Sequence, residues 1–168
     1  RVVETGRVID LRANDLAEVV VVRLADGRTL VVESDADEVR VQVQPNEPAM
    51  QVVVPDARGA LTGLSGGALY RLVEAAQSDA QVWRRMALSA NDQVGASQGI
   101  EALTGAADGT LWAVDAQSFY ALRDTVVEQS PRPTGSGYAQ RLTATDDGNL
   151  WLRDRDRIQR FGAAGDEV

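Results

Sequence analysis

The sequence contains no cysteine and no histidine. Without cysteine there is no disulfide framework, no thiolate metal site and no cysteine nucleophile. Without histidine the commonest general base and the commonest transition-metal ligand are gone as well. Lysine is also missing, so all 17 basic residues are arginine, and 25 acidic residues outnumber them for a net charge of -8. That balance disfavours nucleic acid as a partner, because a phosphate backbone rewards clustered positive charge. No apolar run approaches the roughly 18 residues that a membrane-spanning helix needs. There is no Gly-rich phosphate loop, no Gly-x-Ser-x-Gly elbow and no nucleotide fingerprint. Paired carboxylates remain as a route to glycoside hydrolysis, but a sequence does not set their separation. The expectation is a non-enzymatic protein with no cofactor and no bound metal.

What is present is a repeat. Leu103-Thr104-Gly105-Ala106-Ala107-Asp108-Gly109-Thr110-Leu111-Trp112 aligns with Leu142-Thr143-Ala144-Thr145-Asp146-Asp147-Gly148-Asn149-Leu150-Trp151. A third copy reads Leu61-Thr62-Gly63-Leu64-Ser65-Gly66-Gly67-Ala68-Leu69-Tyr70, and a weaker fourth runs from Val22 to Val31 around Asp26-Gly27. The turn glycines at 27, 67, 109 and 148 are 40, 42 and 39 residues apart. Asp-Gly or Gly-Gly between apolar runs supplies the positive φ that tight hairpin turns demand. Flanking segments read as short strands: 18–24, 29–33, 38–44, 50–54, 118–123 and 157–161.

The 168 residues, 44% apolar, suit one domain with a real core. Four short strands per unit of about 40 residues is a propeller pattern. The fold class expected is therefore all-β, a small or partial β-propeller of about four blade-like repeats. Its units fall near 12–54, 55–96, 97–137 and 138–161, with 1–11 as a strand that closes the last blade. Between Leu69 and Ala87 apolar residues also fall at helical spacing, and the repeat register decides for strands there. The stretches 44–48, 89–99 and 130–137 are rich in Pro, Gly, Ser and polar residues and read as loops between units. The chain starts at Arg1 without an initiator Met, which suggests a processed protein or part of a longer one.

At Asp108-Gly109-Thr110-Leu111-Trp112-Ala113-Val114-Asp115 and Phe119-Tyr120-Ala121-Leu122-Arg123 the chain resembles β-propeller repeat proteins. Two kinds carry such blades, the two-component-regulator propellers and the tectonin-like lectins. The first resemblance implies the sensor or interaction part of a larger bacterial signalling protein. The second implies recognition of glycans or bacterial surfaces. The Val-rich hairpin at Asp26-Gly27 also resembles the small β module of FecR-type regulators, which implies a separate unit over 1–56 joined to a partial propeller.

Trp112, Trp151 and Tyr70 share one repeat position and are the candidate ligand-binding residues, as stacking platforms for sugars. The competing reading packs them between blades. Asp26, Asp108, Asp146 and Asp147 precede turn glycines and read as turn formers, since no run matches a calcium loop. Asp154 and Asp156, alternating with Arg153, Arg155 and Arg157, read as a solvated charge ladder. The partner expected is a protein or small ligand on one propeller face, with a glycan as the alternative and a homo-oligomer if the ring is incomplete.

Overall fold

The computed structural model describes residues 7–14, 18–35, 38–45, 47–56, 58–76, 80–88, 98–123, 126–133 and 137–162. Among these, every regular element is a strand. The first sheet holds β1 (Val8–Asn14), β2 (Val19–Leu24), β3 (Thr29–Asp35) and β4 (Glu38–Val43). The second holds β5 (Val52–Pro55), β6 (Leu61–Ser65), β7 (Ala68–Glu74) and β8 (Gln81–Arg85). The third holds β9 (Ala102–Gly105), β10 (Leu111–Val114), β11 (Ser118–Arg123) and β12 (Val126–Pro131). The fourth holds β13 (Arg141–Ala144), β14 (Leu150–Arg153) and β15 (Ile158–Phe161). Each sheet is an antiparallel meander in chain order, and β1, β5, β9 and β13 are the inner strands, each packed on the next. The chain is an all-β, four-blade propeller arrangement.

Burial explains why these segments are strands. The blades are stacked face to face, so a strand inside the stack is covered on both sides and reads as a continuous apolar run. Leu111-Trp112-Ala113-Val114 is such a run, and all four residues are buried. Alternate residues serve opposite junctions. Leu111 and Ala113 join Val54, Leu64 and Leu69 of the second blade, whereas Trp112 and Val114 join Leu142, Leu150, Leu152 and Phe161 of the fourth. A third cluster, with Val19, Val21 and Val31 against Val53, Leu61 and Trp83, welds the first blade to the second. The N-terminal sheet is thus a blade of the array and does not stand apart as a FecR-like module.

Residues 68–74 and 81–85 are strands, as the repeat required. The register of that repeat needs correction. Gly66-Gly67 is a two-residue turn between the second and third strands of its blade, with Ser65 opposite Ala68. Gly109 and Gly148 instead lie between first and second strands. Their counterpart in the second blade is Gly59. Gly59 N donates to Asp56 O at 3.0 Å, Gly109 N to Ala106 O at 3.0 Å and Gly148 N to Thr145 O at 2.9 Å, with φ of 78°, 82° and 79°. Gly27 forms the same loop, with Gly27 N donating to Leu24 O at 3.0 Å, but one hairpin later in its blade. The loop chemistry suits any hairpin, so the glycines marked hairpins correctly and the strand order wrongly. The residue equivalent to Trp112 and Trp151 is Thr62, not Tyr70.

Two boundaries change with it. Val52–Pro55 opens the second blade and does not end the first. The expectation that residues 1–11 close the last blade is corrected over Val8–Leu11. These residues belong to β1, which pairs with β2 through Leu11 opposite Val22 and Ala13 opposite Val20. A strand beside its sequence neighbour is the cheaper pairing. The fourth sheet keeps three strands among the described residues, and residues 1–6 and 89–97 lie outside that range.

The junction of blades three and four centres on Phe119 and Phe161, both fully buried, with ring centroids 4.9 Å apart and planes inclined by 56°. Phe119→Ala is expected to destabilise the protein by about 3–5 kcal/mol, read from the urea unfolding midpoint.

Candidate binding site on the propeller axis

The C-terminal ends of all four inner strands converge on one cavity of about 460 Å³. Leu11, Arg12 and Ala13 contribute from β1, Val54 and Pro55 from β5, Thr104 and Gly105 from β9, and Thr143 and Ala144 from β13. Ala106, Ala107 and Asp146, in the loops that follow β9 and β13, form the rim. A smaller space of about 100 Å³ shares that rim and runs outward between the turns of blades three and four to Trp112, Arg123 and Gly148. Together they form a groove that starts on the axis.

Small residues make the groove possible. A Cβ on Gly105 would lie 2.8 Å from Val54 Cγ1, so glycine lets β9 approach β5 closely. The lining offers two threonine hydroxyls, one guanidinium and one carboxylate among short apolar side chains. Arg12 is oriented by Asp10, whose Oδ2 accepts from Nε at 3.2 Å. Opposite Asp10 on the next strand, Arg23 is pulled below the usual arginine range by burial, against the opposing pull of Asp10. This is the chemistry of a site that reads shape and a few polar groups.

The three aromatic candidates are not brought to one face. Trp112 is 7% exposed and packs toward the fourth blade. Tyr70 lies against the cluster between blades one and two. Trp151 is 40% exposed on the outer face of the fourth blade, with the Arg160 guanidinium 6.0 Å from its ring centroid. Trp83 is buried, as an apolar packing role requires, and its Nε1 also donates to Pro45 O at 3.0 Å.

The turn carboxylates do not gather. Asp108 accepts from Thr110 N at 2.9 Å, and Asp26 from Arg28 N at 3.1 Å. Asp147 accepts from Thr145 Oγ1 at 2.5 Å and Asn149 N at 3.2 Å. The Arg28 side chain holds Asp26 below the usual carboxylate range, and the Thr145 hydroxyl does the same for Asp147. Asp56 does this work in the second blade, accepting from Arg58 N at 2.8 Å and Ala60 N at 3.0 Å while pairing with Arg71. Sequence reasoning missed it because Ala57 and Arg58 separate it from its glycine.

A polar cluster that the sequence did not suggest pins blade three to blade four. Arg132 is buried, and its Nη1 donates to Glu101 Oε2 at 2.9 Å and to Asp115 O at 2.7 Å, while Nη2 donates to Gly137 O. Glu101 Oε2 also accepts from Ala139 N at 2.6 Å. Next to it, Asp154 departs from the expected charge ladder. It is 4% exposed and accepts from Asp156 N at 3.0 Å, Arg157 N at 2.9 Å and Gly137 N at 3.1 Å. The amide of Asp156, reinforced by the Arg157 side chain and opposed by desolvation, brings its carboxyl down to about 2. The signal available in sequence was an aspartate opening a tight turn, hidden in an Arg-Asp alternation.

Comparison with known proteins bears on fold only. No protein-family model and no curated protein sequence matches the chain. Among solved structures it is similar to virginiamycin B lyase from Staphylococcus aureus, with 13% identity, TM-score 0.60, and coverage of 97% of this chain and 55% of that one. It is also similar to the β-propeller domain of Cps50 (Swd1) from Myceliophteria thermophila, with 10% identity, TM-score 0.59, and coverage of 92% and 53%. The chain thus spans little more than half the length of these propellers.

Asp154 has a folded-state value below the roughly 3.9 of an unfolded aspartate, so its contribution is present above pH 4 and is lost as pH falls toward 2. The melting temperature of the wild type should therefore drop between about pH 4 and pH 2, and Asp154→Asn should lower it at neutral pH while flattening that acid limb.

Proposed function

We propose that this chain is a non-catalytic binding module that takes a small ligand or a short protein segment into the axial groove. The observation that carries this reading is the cavity itself. Its walls come from four separate blades, its volume falls in the range of about 300–1,000 Å³ usual for ligand pockets, and its polar groups are few, with Arg12 held by Asp10. The residue types support the same reading, since neither histidine nor cysteine is available to act as base or nucleophile. A role as the sensor or interaction part of a larger bacterial protein rests on the resemblance of the blades and on that open axial site.

Ala107 is exposed, lies in a loop and lines both parts of the groove. Ala107→Trp should leave the circular dichroism spectrum and melting temperature unchanged while abolishing saturation-transfer signals from fragments that bind the wild type. Saturable turnover of a glycoside or ester substrate, lost in Asp146→Asn, would overturn the non-catalytic reading.

A second reading, carbohydrate recognition of the tectonin type, is favoured by the exposure of Trp151 and now rests on that one aromatic. Indole and guanidinium side by side suit an acidic sugar. A glycan array on which uronate-bearing oligosaccharides bind the wild type and fail to bind Trp151→Ala supports it.

A further inference from the structure

The apolar packing between the first and second blades gives way to polar residues at the outer strands. Directly paired residues of an antiparallel sheet project to the same side. Val21, Val31 and Gln42 form one cross-strand row of the first blade, and Val19, Glu33 and Arg40 the next, so these polar residues face the second blade with the valines. On the second blade Leu72 pairs with Trp83, and two positions along the same face Glu74 pairs with Gln81. The next junction stays apolar at the corresponding place, with Met86, Leu88 and Val127.

The polar ends of the first junction leave a groove. Its larger part, about 460 Å³, is lined by Gln42, Val43, Gln44, Pro45, Glu74 and Gln81. An adjoining space of about 260 Å³ shares the three glutamines and Glu74, and adds Glu33 and Arg58 over a floor of Val31, Leu61 and Leu72. Among the described residues, none lines both this groove and the axial one.

Gln44 is the residue that internal packing does not explain. It is 5% exposed, yet its Oε1 is buried with no hydrogen-bond partner. An unmatched buried acceptor costs stability, and it marks a place where a donor is wanted. Rotation about the last side-chain bond exchanges the oxygen and nitrogen of a carboxamide, so Gln44 can turn its oxygen into the groove that it lines. Glu74 is the one charged residue lining the larger part among the described residues, and it enters no ion pair there. In the smaller part Glu33 and Arg58 offset each other in charge.

We propose that this groove is a second binding site, specific for a primary alkylammonium group. The Glu74 carboxylate and the carboxamide oxygens of Gln42, Gln44 and Gln81 share its three N–H donors, and its carbon chain lies on Val31, Leu61 and Leu72. A tetrahedral ammonium spreads its donors over acceptors from several strands, whereas a planar guanidinium wants one coplanar carboxylate. The net charge of -8 favours a cation. No lysine occurs in the sequence, so none of its side chains supplies the group. Such a group comes from a free diamine or from a lysine side chain of another protein. The proposal does not rest on the axial groove, and either site can fail alone.

The test follows the side-chain amide signals of Gln42, Gln44 and Gln81 by heteronuclear NMR. The probe is cadaverine, with pentanediol and glutarate as uncharged and anionic controls of the same chain length. Cadaverine should shift those signals saturably with a dissociation constant below about 1 mM, and neither control should bind. Glu74→Gln should weaken cadaverine at least about tenfold. Gln44→Met should weaken it about threefold while keeping or raising the melting temperature, because it removes the unmatched oxygen. Asp146→Asn, in the axial groove, should bind it like the wild type. A blocked glycyl-lysyl-glycine peptide that binds more tightly than cadaverine identifies a lysine side chain as the occupant, and the reverse order a free diamine. The inference is overturned by the absence of a saturable shift at about 10 mM cadaverine, by equal binding of pentanediol, or by full affinity in Glu74→Gln. A lower melting temperature in Gln44→Met with unchanged affinity also overturns it, since Gln44 would then be structural.

Discussion

The inner sheets of this chain have two apolar faces, and the stack follows from the need to cover both. In the second and third blades the need is met by neighbours on either side. Leu111 and Trp112 are adjacent in sequence and serve opposite junctions. That is why the inner blades show almost unbroken apolar strands while exposed strands such as Val126–Pro131 show a mixed pattern. Stability is therefore cooperative along the stack, each blade being complete only through the next, as in other repeat architectures.

Polar groups set the position of these blades. Arg132 and Glu101 are removed from water together, and the hydrogen bonds from Arg132 to two backbone carbonyls fix where the chain passes from blade three to blade four. A buried ion pair of this kind contributes little net stability, because desolvation offsets the attraction. The aspartates of the tight loops act on a shorter scale. Asp56, Asp108 and Asp147 each accept from backbone amides of the residues that follow, which holds the first hairpin loops of their blades in shape.

Much of the fold was legible because its signals are local. Positive-φ glycines after acidic residues marked hairpins, and Val-rich segments between them marked strands. The class, the number of blades and the strands between Ala68 and Arg85 all followed from that. Strand order did not, because Gly59 and Gly67 both close hairpins in the second blade and only the tertiary stack distinguishes first from second. The same ambiguity put Tyr70 in line with Trp112. The site was less legible than the fold. Thr104, Thr143 and Arg12 are unremarkable in sequence, and only the convergence of inner strands makes them neighbours. The buried state of Asp154 was hidden for a related reason, since an Arg-Asp alternation looks the same whether the aspartate faces solvent or three backbone amides.

The location of the groove is itself a consequence of the covering constraint. Stacking twisted sheets face to face about an axis brings the inner strands together, and they cannot fill the centre because each presents an edge there. What remains is a cavity walled by strand ends and rimmed by the first hairpin loops. Its walls are backbone and short side chains wherever two inner strands approach closely, as Gly105 does toward Val54. The longer polar groups that line it are few, Arg12 from the first blade and Asp146 from the fourth. The apolar junctions that define the blades stay committed to packing, and loops and strand termini are the parts the core leaves free to vary.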